Sequence, residues 1–239
     1  VDNKESVMCI MKGSQLPGTT GRVFQYLNRL FSFDAVLSNY VKEFGFDDSP
    51  AGINPQGGLV EANDGKFYGM TTIRGLNNMG VIFSYDPVTD TYAKQFDFDG
   101  TNGMAPYGSL ILASDGKLYG MTNGGGTNNY GVLFSFEPTT KTYAKLFDFS
   151  GINGRYPYGS LVEASDGKFY GMTSGGGVNN YGVIFSYEPT TTTYTKLFDF
   201  NSTNGRSPFG SLIEVTNGDL YGMTYYGGIN NMGVLFSFN

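Results

Sequence analysis

Four adjacent asparagine pairs, Asn77/Asn78, Asn128/Asn129, Asn179/Asn180 and Asn230/Asn231, recur 51 residues apart. A carboxamide offers donor and acceptor on one planar group, which suits the hydroxyls of a sugar. Tyr130 and Tyr181 follow two of the pairs, where a phenol ring can stack on a pyranose face; Met79 and Met232 follow the others. Arg155 and Arg206 stand at matching places before Pro157 and Pro208, where the preceding copy has Met104. A guanidinium there can hold a carboxylate or an acidic sugar in bidentate fashion. These twelve residues (the eight asparagines, both tyrosines and both arginines) form the candidate ligand-binding set.

Each has an architectural alternative. Asn beside Gly suits tight loops that need positive φ, and its amide can cap nearby backbone. Arg can pack its stem over Tyr or Pro. Tyr107, Tyr158 and Phe209, each just before the first glycine of a copy, are expected to fill gaps between repeats.

Other chemistry is thinner. The segments Asp97–Gly103, Asp148–Ser150 and Asp199–Asn201 place oxygen side chains in alternation, a possible calcium loop. Their spacing misses the helix–loop–helix calcium pattern, and only the first carries two carboxylates, so turn-making is the expected role and no cofactor is assigned. Glu61, Glu163 and Glu214 recur in one register; a catalytic carboxylate pair would have to form between neighbouring repeats. No His occurs, which removes His-based triads and the commonest general base. No catalytic residue is assigned.

The elements that must position these groups come from the repeat. Complete copies begin at Gly57, Gly108 and Gly159, and a shorter one spans 210–239. Residues 1–56 hold a divergent copy, whose Phe31–Asp34 and Tyr40–Phe44 align with Phe134–Glu137 and Tyr143–Phe147. Gly21–Tyr26 also resembles the third strand, which leaves the register before residue 28 open. In the copy at Gly159, strands are predicted at 160–164, 168–173, 183–187 and 194–200. Asp166–Gly167 makes a hairpin and Glu188–Pro189–Thr190–Thr191 a turn.

Four short antiparallel strands per copy, with no helical spacing, are the unit of a β-propeller blade. The expectation is one all-β domain over 1–239: a five-bladed propeller of four-stranded blades, its ring closed by the terminal segments, with a strand near Val7–Met11 completing the last blade. Antiparallel order puts the Asp-Gly hairpin and the Glu-Pro turn on one face. The Gly-Gly-x-Asn-Asn loop and the loop after strand four fall on the other, the better candidate for function.

The run from Phe67, Leu118, Phe169 and Leu220 (Phe/Leu-Tyr-Gly-Met-Thr, then Gly-x-Asn-Asn-x-Gly-Val-x-Phe-Ser) resembles the GloVer tandem repeat of bacterial surface proteins. The resemblance implies an exported, secreted or cell-surface repeat protein and brings no catalytic residues with it. Arg74, where later copies have Gly, departs from the pattern.

Composition narrows the partners. Net charge is −6, and no two basic residues are adjacent, so nothing supplies the cationic face that nucleic acid requires. No apolar run approaches the length of a membrane span. Lone Cys9 cannot form an internal disulfide. The leading expectation is multivalent, lectin-like glycan binding through shallow sites in the repeated loops. Behind it stand a protein-interaction module of an extracellular assembly and, more remotely, a glycoside hydrolase or lyase.

Overall fold

The structure, a computed structural model, describes residues 14–15, 21–26, 29–34, 39–46 and 51–239. Among them every regular element is a β-strand, and each sheet is an antiparallel meander in chain order. The first sheet comprises β1 (Ser14–Gln15), β2 (Gly21–Tyr26), β3 (Arg29–Asp34) and β4 (Asn39–Gly45). The second holds β5 (Val60–Glu61), β6 (Phe67–Thr71), β7 (Val81–Asp86) and β8 (Thr91–Asp97).

The next two repeat that plan. They run β9 (Ile111–Leu112), β10 (Leu118–Thr122), β11 (Val132–Glu137) and β12 (Thr142–Asp148), then β13 (Val162–Glu163), β14 (Phe169–Thr173), β15 (Val183–Glu188) and β16 (Thr193–Asp199). The last sheet has three strands, β17 (Ile213–Glu214), β18 (Leu220–Thr224) and β19 (Val234–Phe238). The strands expected in the copy at Gly159 all form, the first shortened to two residues.

In the three complete repeats, side-chain type follows depth in each sheet. The second and third strands are buried at almost every residue, which explains their unbroken apolar runs: both sheet faces are covered by neighbouring sheets. The fourth strands, at the rim, are half-buried with exposed residues among them. All four four-stranded sheets carry a register shift at one place, between Leu30/Phe31, Ile82/Phe83, Leu133/Phe134 and Ile184/Phe185. That shared bulge fixes the alignment of the divergent first copy. It also settles Gly21–Tyr26 as a second strand, paired on either side with β1 and β3.

Consecutive repeats touch backbone to backbone where each copy begins. A Cβ built on Gly57 would lie 2.4 Å from the Gly108 carbonyl oxygen, and one on Gly159 2.1 Å from that of Gly210. Only glycine permits this approach. The serine beside each glycine links the stack: the Gly58, Ser109 and Ser160 amides donate to Ser109, Ser160 and Ser211 Oγ at 2.7–2.8 Å.

Farther out, the junctions are aromatic. Phe96 stacks on Tyr143 at 4.1 Å and Phe147 on Tyr194 at 3.9 Å. Each tyrosine donates its hydroxyl to the preceding repeat, Tyr143 to Asn102 O and Tyr194 to Asn153 O.

The expected ring closure is not seen among the described residues. The segment Val7–Met11 lies outside them, and β1 pairs with β2 within the first sheet instead of completing the last one. Among the described residues no strand pairs with the free edge of β19. The outward face of this sheet is open: Met223 and Leu235 are 65% and 72% exposed, whereas Met172 and Ile184, one repeat earlier, are 2% and 1%.

Candidate functional site

The glycine-rich loops of one repeat interlock with the loop that follows the fourth strand of the repeat before. Arg155 N donates to Gly175 O at 2.8 Å and Gly175 N to Arg155 O at 3.1 Å, while Tyr156 N donates to Tyr130 O at 2.9 Å. The same three bonds recur with Arg206, Tyr226 and Tyr181, and with Met104, Gly124 and Met79. The residue after each Arg or Met has positive φ: Tyr156 at 57°, Ser207 at 53° and Ala105 at 50°. For a residue as bulky as Tyr156 that conformation costs about 1–2 kcal/mol, which the interlocked loops impose.

The asparagines divide by position. The first of each pair braces the end of the fourth strand: Asn77, Asn128 and Asn179 Nδ2 donate to Phe98, Phe149 and Phe200 O at 3.0, 3.2 and 3.0 Å. The second takes positive φ, from 56° to 62°, and closes the loop. Asn129, Asn180 and Asn231 Oδ1 accept from Gly125, Gly176 and Gly227 N at 3.0–3.2 Å. In these pairs the first Asn keeps its oxygen, and the second its NH2, without a protein partner among the described residues. Asn230 belongs to the sheet without a fourth strand and makes no bracing bond of this kind.

An aspartate holds the loop tip in each of the three complete repeats. Asp97, Asp148 and Asp199 accept from the Leu76, Thr127 and Val178 amides at 2.8–2.9 Å and pair with Lys94, Lys145 and Lys196 at 2.7–2.8 Å. Burial pushes the Asp148 carboxyl up, but the Lys145 and Thr127 contacts outweigh it and hold its pKa below the ordinary value. These aspartates, one source of the calcium expectation, are thus engaged in the loops. Among the described residues no three His, Cys, Asp or Glu side chains converge to hold a metal.

Glu163 and Glu214 clamp repeats together. Each carboxylate accepts the backbone amide of Ser114 or Ser165 at 3.0 Å, together with the hydroxyl of the same serine. Two of the three glutamates considered for inter-repeat hydrolysis, Glu163 and Glu214, are thus engaged by the neighbouring repeat.

Both arginines lie against two phenol rings. The Arg155 guanidinium lies 5.7 Å from the Tyr130 ring centre and 5.2 Å from that of Tyr156. Arg206 lies 5.7 Å from Tyr181 and 5.0 Å from Tyr226. The second ring differs in origin: Tyr156 follows Arg155 directly, while Tyr226 occupies the position of Gly175. Nε of both arginines is buried without a hydrogen-bond partner.

A feature the sequence did not reveal ends beside the second of these clusters. Rings of Tyr107, Tyr158, Phe209, Tyr225 and Tyr226 form a continuous ribbon, with successive centroids 5.0, 4.9, 5.4 and 4.5 Å apart. The first three stand one residue before the stacked glycines. They were expected to fill gaps between repeats, and their rings do meet from one repeat to the next; Tyr107 and Tyr158 are half-buried and Phe209 is 41% exposed. Tyr225 is 60% exposed, and the ribbon ends at Tyr226 beside Arg206. Amides, rings and guanidinium groups thus share the glycine-loop face. Such an array can stack on apolar sugar faces and hydrogen-bond their hydroxyls.

No curated protein sequence matches the chain. Solved structures do. The extracellular domain of a candidate one-component system from B. thetaiotaomicron superposes with TM-score 0.63 at 16% identity, over 95% of this chain and 26% of that one. TolB from Acinetobacter baumannii gives 0.57 at 15%, over 93% and 51%. A candidate gluconolactonase gives 0.58 at 14%, over 95% and 77%. This chain spans about a quarter of the length of the first. At such identities the likeness establishes a propeller-like arrangement of antiparallel sheets and nothing about activity. A sequence model described as the Gloeobacter/Verrucomicrobia repeat matches residues 18–163 and 112–239. The chain belongs to the Gloeobacter/Verrucomicrobia repeat family.

Proposed function

We propose that this protein is an extracellular propeller that binds carbohydrate on its glycine-loop face, without catalysing a reaction. The single observation that carries this reading is the partly exposed aromatic ribbon from Tyr107 to Tyr226. A row of rings at about 5 Å intervals is costly to leave in water unless it meets apolar surface, and the faces of linked pyranoses supply such surface between their hydroxyls. In the loops of the same face, the free amide halves of Asn77, Asn128, Asn129, Asn179, Asn180 and Asn231, with Tyr130, Tyr181, Arg155 and Arg206, supply hydrogen bonds. Asn78 and Asn230 complete the repeated set. Repetition makes each contact weak and the sum strong, with a gain of about 10²–10⁴ in avidity on a repetitive polymer. The extracellular assignment draws on the repeat family and on the extracellular domain among similar structures.

Titrating the protein with a panel of soluble glycans, beside Tyr158→Ala and Phe209→Ala, tests the reading. We expect saturable binding that weakens about tenfold in each variant, with unchanged far-UV circular dichroism. Equal binding by both variants would remove the ribbon from the site.

A second reading is favoured by the open face of the last sheet, where Met223 and Leu235 are exposed. In it the chain is a module of an extracellular assembly, and this face receives a further repeat. A five-bladed closed ring is the intramolecular version, with an amino-terminal strand along β19. Light scattering separates them: Leu235→Asp would dissociate an assembly into monomers but would leave a monomeric protein monomeric.

A further inference from the structure

The arginines carry a charge their packing does not need. In the repeat before Arg155, Met104 occupies the same place, bridges to Gly124 as Arg155 bridges to Gly175, and lies against the loop glycine in the same way. A Cβ built on Gly124 would meet Met104 Cε at 2.6 Å; one on Gly175 would meet Arg155 Nε at 3.0 Å. The neighbouring position changes in step: Met79 accompanies Met104, whereas Tyr130 accompanies Arg155 and Tyr181 accompanies Arg206. An apolar thioether therefore fills this niche. Substituting a cation adds the cost of partly desolvating it, visible in the buried, unpartnered Nε of both side chains.

Among the described residues no internal anion pairs with either guanidinium to offset that cost. The ion pairs of these loops use Lys94, Lys145 and Lys196. The two guanidinium groups are held instead by the faces of paired tyrosines, which fix a cation without neutralising it. Arg206 terminates the aromatic ribbon through Tyr226. Among the described residues neither guanidinium has an ion-pair partner, in a chain whose net charge is −6.

The geometry points to an acidic polysaccharide as the ligand, with uronate carboxylates held by Arg155 and Arg206 while neighbouring pyranose rings lie on the ribbon. This rests on the carbohydrate reading and narrows it to one chemical class. Copies with Met at the niche contribute stacking alone, so the polymer is gripped electrostatically at two of the junctions.

The test titrates the full chain with polygalacturonate, alginate and a glucuronate-bearing xylan, each beside its carboxyl-reduced form. The variant is Arg155→Met with Arg206→Met, which reproduces a side chain the fold already accepts. We expect at least one uronate polymer to bind about tenfold or more tighter than its reduced form, a preference the double variant abolishes. Equal binding of acidic and reduced polymers, or an uronate preference that survives the double variant, overturns the inference and leaves the carbohydrate reading standing. Failure of all six polymers and of the neutral glycan panel overturns both.

Discussion

Gly159→Ala and Gly210→Ala change equivalent positions of successive repeats, yet the structure assigns them opposite outcomes. Neither glycine has positive φ, so alanine meets no backbone strain at either. At Gly159 the new Cβ would lie 2.1 Å from Gly210 O, well inside any van der Waals contact, and both partners are backbone. Two sheets must part by roughly 1 Å, a form of overpacking that costs about 1–3 kcal/mol. At Gly210 nothing lies within 4 Å, and alanine should stabilise by about 0.4–1 kcal/mol through the unfolded chain. The two variants should therefore differ by about 1.4–4 kcal/mol, or about 3–16 °C in Tm for a chain of this size. Urea unfolding followed by circular dichroism, with equal m-values, measures it. If Gly159→Ala is as stable as the native protein, the glycine stack does not join the repeats. If Gly210→Ala is as damaging as Gly159→Ala, a further repeat covers that end.

Three other outcomes follow from the same geometry. Burial raises the pKa of the Tyr143 and Tyr194 hydroxyls above the ordinary 10, so their contribution is intact below pH 10 and is lost as pH rises beyond it. Alkaline titration should show tyrosinate absorbance from these rings appearing together with loss of structure; full ionisation near pH 10 in the folded protein would contradict it. Asn180→Ala loses the bond to Gly176 N and strains a φ of 62°, costing about 2–3 kcal/mol, whereas Asn179→Ala loses one bond and costs about 1. Reversal of that order in urea unfolding would refute the division of labour in the pair. Met172→Asp, at a 2% exposed site, should unfold the protein at ambient temperature, while Met223→Asp should be tolerated within about 0.5 kcal/mol.

The strands of the three complete repeats were legible because each boundary carries its own chemistry. Asp-Gly makes the first hairpin, Glu-Pro or Asp-Pro the outer turn, and apolar runs the buried strands. Gly21–Tyr26 was not: its alternating aromatics fit a second or a third strand equally. Only pairing shows that two residues separate β2 from β3, where later repeats spend nine. The structural duties of the Asn pairs followed from their glycine neighbours, although which Asn braces and which bends needed coordinates. The aromatic ribbon was hidden because its members come from different repeat positions. Tyr107, Tyr158 and Phe209 are equivalent, but Tyr225 and Tyr226 stand where the preceding copy has Ser174 and Gly175. The glycine stack brings them into line, and that contact is long-range. One signal was present in the sequence: the paired exchange of Met79 and Met104 for Tyr130 and Arg155.

Ring-proton NMR of the protein with a bound glycan tests the account most directly. The account predicts shifts confined to Tyr107, Tyr158, Phe209, Tyr225 and Tyr226, together with the tyrosines flanking Arg155 and Arg206, while buried rings such as Phe134 and Phe185 stay unmoved. Saturating glycan that leaves every ribbon ring unshifted, or that moves residues around the Asp166–Gly167 hairpin instead, would contradict it.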